Sequence, residues 1–140
     1  YPRFTGDAHG GKYFSHTDKG LQYGNGVVYN VPDSLIQKDI RIKVNMWVKQ
    51  GDANPKNQFS FAVQAPTGEM LNWSEIRTQK YINETNKWIN INDSVTIPGT
   101  AVNKAGLIIK MFSFNPEGTS YMDVDDAEMS VYKVEKKLVD

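Results

Sequence analysis

The segment Ile40-Arg-Ile-Lys-Val-Asn-Met-Trp-Val-Lys49 decides the fold class. Ile40, Ile42, Val44, Met46 and Val48 share one parity; Arg41, Lys43, Asn45, Trp47 and Lys49 share the other. Successive side chains of a strand point to opposite faces, so this segment reads as a strand with one aliphatic side. Wound as a helix, it would scatter its apolar groups around the whole cylinder. A turn-rich stretch, Gln50-Gly-Asp-Ala-Asn-Pro55, follows. The next segment, residues 58–65, alternates again, with Phe59, Phe61 and Val63 set against Ser60, Ala62 and Gln64.

The same period recurs along the chain. Gly26-Val-Val-Tyr-Asn-Val31 stops at Pro32, and residues 88–97 close on Pro98-Gly99. Residues 107–114 and 121–124 are separated by the loop signal Asn115-Pro-Glu-Gly118, and residues 128–134 form the last alternating segment. Residues 74–81 read as loop or as an irregular strand. The charged tail, residues 135–140, is expected to fray. No stretch carries an i, i+3, i+4, i+7 stripe longer than two turns. About eight to nine short strands at near-regular spacing predict an all-β antiparallel β-sandwich of jelly-roll type. With no internal repeat, low-complexity tract or linker, residues 1–140 read as a single module with its core at about 8–134.

Composition narrows the function classes. The 140 residues carry 16 basic and 16 acidic groups, 39% apolar residues and no cysteine. A chain of this size buries roughly 68–70% of its unfolded surface, enough for a core without staples. A net charge of zero argues against nucleic acid, which needs a basic surplus to release counterions. No apolar run approaches the ~20 residues that span a bilayer, so no membrane span is expected. No secretory or transit segment is read at Tyr1, and from the abrupt start an excised domain is expected. Without cysteine there is neither a disulfide framework nor a thiol nucleophile.

Four segments in order carry a resemblance. They are Asp7-Ala-His-Gly-Gly-Lys-Tyr-Phe-Ser15, the strand from Ile42 to Lys49, the Trp-led strand from Trp88 to Pro98, and Tyr121-Met-Asp-Val-Asp-Asp-Ala-Glu-Met-Ser-Val131. Together they are similar to the strands of galactose-binding-like β-jelly-roll modules. This architecture is shared by many carbohydrate-binding modules attached to bacterial glycoside hydrolases. The resemblance covers residues 8–134. The family's usual Asn-Gly-x-Phe-Glu opening strand is absent here or reduced to Tyr1-Pro-Arg-Phe4.

The candidate binding residues are read against this background. Trp47 lies on the polar side of its strand beside Asn45 and Lys49. An aromatic ring among amides and charges suits a sugar, which offers an apolar C–H face rimmed by hydroxyls. The alternative is that Trp47 is covered by residues 74–81 or by a neighbouring domain. Lys110 and Phe112, with Phe114, join Trp47 on one concave face if Leu107, Ile109 and Met111 point to the core. The reverse phase stays open, because both sides of that strand are apolar. Trp73, beside Glu75, is a candidate second aromatic wall, with packing over a sheet edge as its alternative. Trp88, in contrast, matches a structural tryptophan of the family.

The resemblance also implies a structural calcium. Its ligands would be Asp125, from the Asp-Asp pair, and backbone oxygens near Gly10, Gly11 and Lys12, with no other cofactor required. The carboxylate normally supplied by the opening strand is missing, and the alternative is that the acidic residues cap turns. An enzyme is not expected. His9 and His16 have no zinc-ligand spacing, Gly24-Asn-Gly26 does not continue as a phosphate loop, and no nucleophile elbow is present.

These readings predict a non-catalytic carbohydrate-binding-type module. It would belong to a larger exported bacterial protein and act outside the cell, on its surface or in the periplasm. Its partners would be a polysaccharide or glycan and the other domains of the parent chain. The alternative is a structural or protein-interaction sandwich with no sugar site, since fold does not fix function.

Overall fold

The computed structural model describes residues 4–5, 13–17, 23–52, 56–117 and 120–134. They form nine strands: β1 (Phe4–Thr5), β2 (Tyr13–Thr17), β3 (Tyr23–Asn30), β4 (Ile40–Gln50), β5 (Gln58–Gln64), β6 (Met70–Arg77), β7 (Ile89–Ile97), β8 (Ile108–Phe114) and β9 (Met122–Lys133). Only short 3-10 turns interrupt them, at Asp33–Leu35, Thr78–Lys80 and Gly99–Ala101.

Two antiparallel sheets result. One has five strands in the order β1-β2-β9-β4-β7, the other four in the order β3-β8-β5-β6. From β2 to β5 and again from β6 to β9, every connection passes from one sheet to the other. This alternation is the jelly-roll path, and the all-β antiparallel sandwich is the architecture of the chain. The β5–β6 hairpin turns through residues 65–69. There Gly68 adopts a φ of +90° and donates its N–H to the Ala65 carbonyl at 2.8 Å. A side chain at that φ would be strained, which accounts for glycine.

The core lies between the sheets. Ile40, Ile42, Val44, Met46 and Val48 of β4 are at most 1% exposed. They meet Phe59, Phe61 and Val63 of β5 and Ile109 and Met111 of β8, all within one apolar cluster. Each such side chain contributes about 1.5–3 kcal/mol relative to an exposed one. One end of the sandwich is closed by amides instead. Gln50 Oε1 accepts hydrogen bonds from Thr78 Oγ1 (3.0 Å) and Asn57 Nδ2 (3.5 Å), tying β4 to the other sheet.

Two local expectations are corrected. Residues 74–81 divide: residues 74–77 complete the strand β6, and only residues 78–81 leave it, through the 3-10 turn Thr78–Lys80. The segments 121–124 and 128–134 are not two strands but parts of one continuous β9, Met122–Lys133. It absorbs the Asp125-Asp126 pair through a register shift against Asn45–Trp47, with Asp126 at φ 48°. An extra residue in a bulge keeps the ladder running where period-two reading sees a break.

Candidate functional site

Strand β8 organises the outer face of the four-stranded sheet. With Ile109, Met111 and Ser113 turned to the core, Ile108, Lys110, Phe112 and Phe114 are left on the outside. The register lays out the rows across the sheet. Phe112 stands between Gly26 and Ser60, and Ser60 pairs with Glu75. Lys110 stands between Val28 and Ala62, and Ala62 pairs with Trp73. Phe114 stands between Tyr23 and Gln58, and Gln58 pairs with Arg77.

The central strand therefore carries small side chains while its neighbours carry aromatic ones. Trp73 reaches over β5: its ring lies 5.5 Å from Phe112 and 5.8 Å from Phe114, edge-on to both. Tyr23 continues the group from the other side, 5.2 Å from Phe114 and 6.1 Å from Phe112. Ser60 and Ala62, although on the outer face, are consequently 0% and 1% exposed. Next to this group opens a cleft of about 420 Å³. Val28, Gln64, Met70, Trp73, Lys110 and Phe112 are among its lining residues. Its walls are mostly apolar, with polar groups from Gln64 and Lys110.

Glu75 orients the tryptophan. Its Oε2 accepts from Trp73 Nε1 at 3.3 Å, and its Oε1 accepts from Arg77 Nε at 3.0 Å. Beyond it, a second cleft of about 460 Å³ runs along the edge between β6 and β7, lined by Glu75, Arg77, Gln79, Lys80 and Asp93. Here the Tyr81 hydroxyl donates to Asp93 Oδ2, and Lys80 Nζ lies 3.8 Å from the same oxygen. Burial pushes the Asp93 carboxyl up, but the bonds from the Tyr81 hydroxyl and the Ser94 N–H, with the Lys80 charge, outweigh it and hold the group below its usual value. The Tyr81 phenol is raised, chiefly by its hydrogen bond to Asp93 and then by burial and that negative charge.

Of the residues singled out by sequence, Trp73, Glu75, Lys110 and Phe112 come together on this face. Trp47, Asn45 and Lys49 do not join them. Strand β4 belongs to the five-stranded sheet, flanked by β7 and β9, so the single concave face expected for Trp47, Lys110 and Phe112 is two opposite faces. Trp47 is half-buried and stands between Asn90 and Asp125 in register. Asn45 Oδ1 accepts from Asn90 Nδ2 at 2.8 Å. Lys49 is 8% exposed, with its Nζ 3.9 Å from Asp123 Oδ2 and 5.0 Å from the Trp88 ring centre. The ammonium is thus enclosed between a carboxylate and an aromatic ring. Trp88 is itself half-buried beside it rather than in the apolar core.

The calcium expectation finds one ligand at most in what is described. Asp125 Oδ1 accepts from the Asp126 N–H at 2.8 Å, and Gly10, Gly11 and Lys12 lie outside the described residues. Among the described residues no three His, Cys, Asp or Glu side chains gather to hold a metal. These residues alone do not fit a hard cation, which takes six to eight oxygens. His9 also lies outside the described residues, and His16 is described only as backbone, paired with Asp123.

Tyr23, Val28, Gln64 and Met70 also belong to the cleft, beyond the residues to which the sequence points. Tyr23 precedes Gly24-Asn-Gly26, where a register shift lets it pair with Phe114. The doubled Val27-Val28, apolar on both parities, was the available signal for Val28. Nothing local marks Gln64 or Met70.

No protein-family model matches the chain, and no curated protein sequence is similar to it. Solved structures are. A family 16 carbohydrate-binding module aligns with a TM-score of 0.55 over 91% of this chain and 83% of its own, at 11% identity. An arabinose-bound α-L-arabinofuranosidase aligns with a TM-score of 0.52 at 13% identity; 91% of this chain matches 20% of the enzyme's. The chain thus spans about a fifth of that enzyme's length. At these identities the likeness establishes the fold: a β-sandwich of carbohydrate-binding-module type.

Proposed function

We propose that the chain is a non-catalytic carbohydrate-binding module whose site is the outer face of the four-stranded sheet. The observation that carries this reading is the aromatic group Trp73–Phe112–Phe114–Tyr23, beside a cleft with polar groups from Lys110 and Gln64. A sugar ring lays its C–H face on the aromatic surface while hydroxyls meet Lys110 Nζ and the Gln64 amide. Glu75 holds the Trp73 indole in place through Nε1. Buried aromatic area supplies most of the affinity, and the polar groups fix orientation.

In this reading the module works outside the cell, as an accessory to other domains of a longer exported protein. The opposite face, with Trp47 and Asn45, is available for contact with those domains. Calcium has no part in the proposed site, since Asp125 lies in the other sheet. A purely structural or docking sandwich is the competing reading. It predicts a flat apolar patch, whereas this face has a cleft with an amide and an ammonium on its lining.

The test is isothermal titration against a panel of soluble polysaccharides, neutral and acidic. Saturable binding that disappears in Trp73→Ala and survives in Trp47→Ala supports the site. A flat response to the whole panel by folded protein transfers the function to the docking reading.

A further inference from the structure

The 420 Å³ cleft has a single charged side chain on its described lining, Lys110. Its surroundings are uniform. Val28 and Ala62 flank it in register, Trp73 stands beyond Ala62, and Ile108 and Phe112 precede and follow it on the outer side of β8. Among the described residues, no carboxylate stands within ion-pair distance of its Nζ. The other cation of the same rows, Arg77, is paired with Glu75, and the second oxygen of Glu75 is turned to Trp73. The register rows of this face therefore carry one uncompensated charge, positive, at the wall of the cleft.

Resting on the reading of this cleft as a sugar site, we infer that its ligand class is an anionic glycan, whose ring carboxylate or sulfate pairs with Lys110. A neutral sugar offers the ammonium only hydroxyl acceptors. An anionic group offers a charge-assisted N–H···O bond, shorter and about twice as strong. Lys110 and Val28 are exposed, so the pair forms at a solvated surface and is screened by salt, while the apolar flank of Trp73 and Phe112 seats the ring beside it. The selectivity is local: the whole chain has a net charge of zero, so no long-range field draws an acidic polymer to it.

Matched ligands that differ only in charge provide the test. Trigalacturonate is titrated against its methyl ester, and a sulfated galactan against the same polymer desulfated, with neutral xylan as reference. The expected result is about tenfold tighter binding of one charged member than of its neutral counterpart, equivalent to about 1.4 kcal/mol. The preference falls as salt is raised. Which pair shows it identifies the carboxylate or the sulfate. Lys110→Met abolishes the preference while keeping residual binding to the uncharged form, and Lys110→Glu reverses it. Equal binding of charged and neutral members, or a preference that persists in Lys110→Met, overturns the anionic ligand class and leaves the sugar site standing. Failure to bind any of the five ligands, in protein with a cooperative melt, overturns the sugar site itself.

Discussion

The Trp73 indole stands edge-on to the Phe112 ring, with centroids 5.5 Å apart and planes at 79°, so that the two close over Ala62 and Ser60 of the strand between them. Trp73 is nonetheless 36% exposed, which leaves aromatic surface for a ligand. Replacing it with alanine removes that surface and uncovers two small residues. A central aromatic anchor of this kind carries about 2 kcal/mol or more of binding, a loss of roughly thirtyfold. Titration of Trp73→Ala and Trp47→Ala in parallel checks this, with the loss confined to Trp73→Ala. The reverse pattern would move the site to the five-stranded sheet.

That contrast also shows what sequence could reach. The alternation in β4 is legible because burial on one side forces period two, whereas β8, apolar on both parities, leaves its phase open in sequence and only the structure turns Leu107, Ile109 and Met111 inward. The sheet a strand joins is not encoded in its own pattern. Trp47 and Phe112 both lie on outer faces, yet β4 pairs with β7 and β9 while β8 pairs with β3 and β5. In a jelly roll the chain changes sheet at nearly every loop, so outer positions of successive strands fall on opposite sides of the molecule. Trp73 and Phe112 meet because β5, between them, carries Ala62 and Ser60, a relationship visible only once the strands are ordered.

The smallness of Ala62 gives a second prediction. It is 1% exposed and stands in register with Trp73 on one side and Lys110 on the other. Ala62→Leu adds bulk beneath the indole, pushing it off Phe112 at an overpacking cost of about 1–3 kcal/mol. The expected outcome is a lowered melting temperature together with weakened glycan binding. Full affinity in this variant would show that the ligand does not use the Trp73–Phe112 pair.

On the other sheet, Lys49 and Asp123 are opposite one another in register, with side chains 10% and 4% exposed. Removing one partner leaves the other charge enclosed, which costs about 3–5 kcal/mol. Asp123→Ala is therefore expected to be far more damaging than the paired replacement Lys49→Met with Asp123→Leu, which removes both charges. Urea denaturation of the two variants decides the matter. A double variant as damaging as Asp123→Ala would mean that the pair is not what matters at this position.

Tyr81 and Asp93 give the stability a defined acid limb. The Asp93 carboxyl titrates below its usual value, so its ionised form contributes stability that is complete above the ordinary aspartate value of about 3.9 and is lost as pH falls through the lower folded one. The raised Tyr81 phenol works in the opposite sense: its neutral form stabilises below the ordinary tyrosine value of about 10 and loses that contribution as pH rises through the higher folded one. Tyr81→Phe removes one donor from Asp93, leaving the Ser94 N–H at 2.7 Å and Lys80 at 3.8 Å as its partners. The melting temperature of Tyr81→Phe should therefore lie below that of the parent across neutral pH. The gap should narrow as pH falls from about 3.9 through the lower folded value, where the parent gives up the Asp93 charge. Melting curves of both proteins from acid to alkaline pH measure it. A gap of constant size down to the most acidic point would show that the Tyr81 hydroxyl does not act through the ionised Asp93.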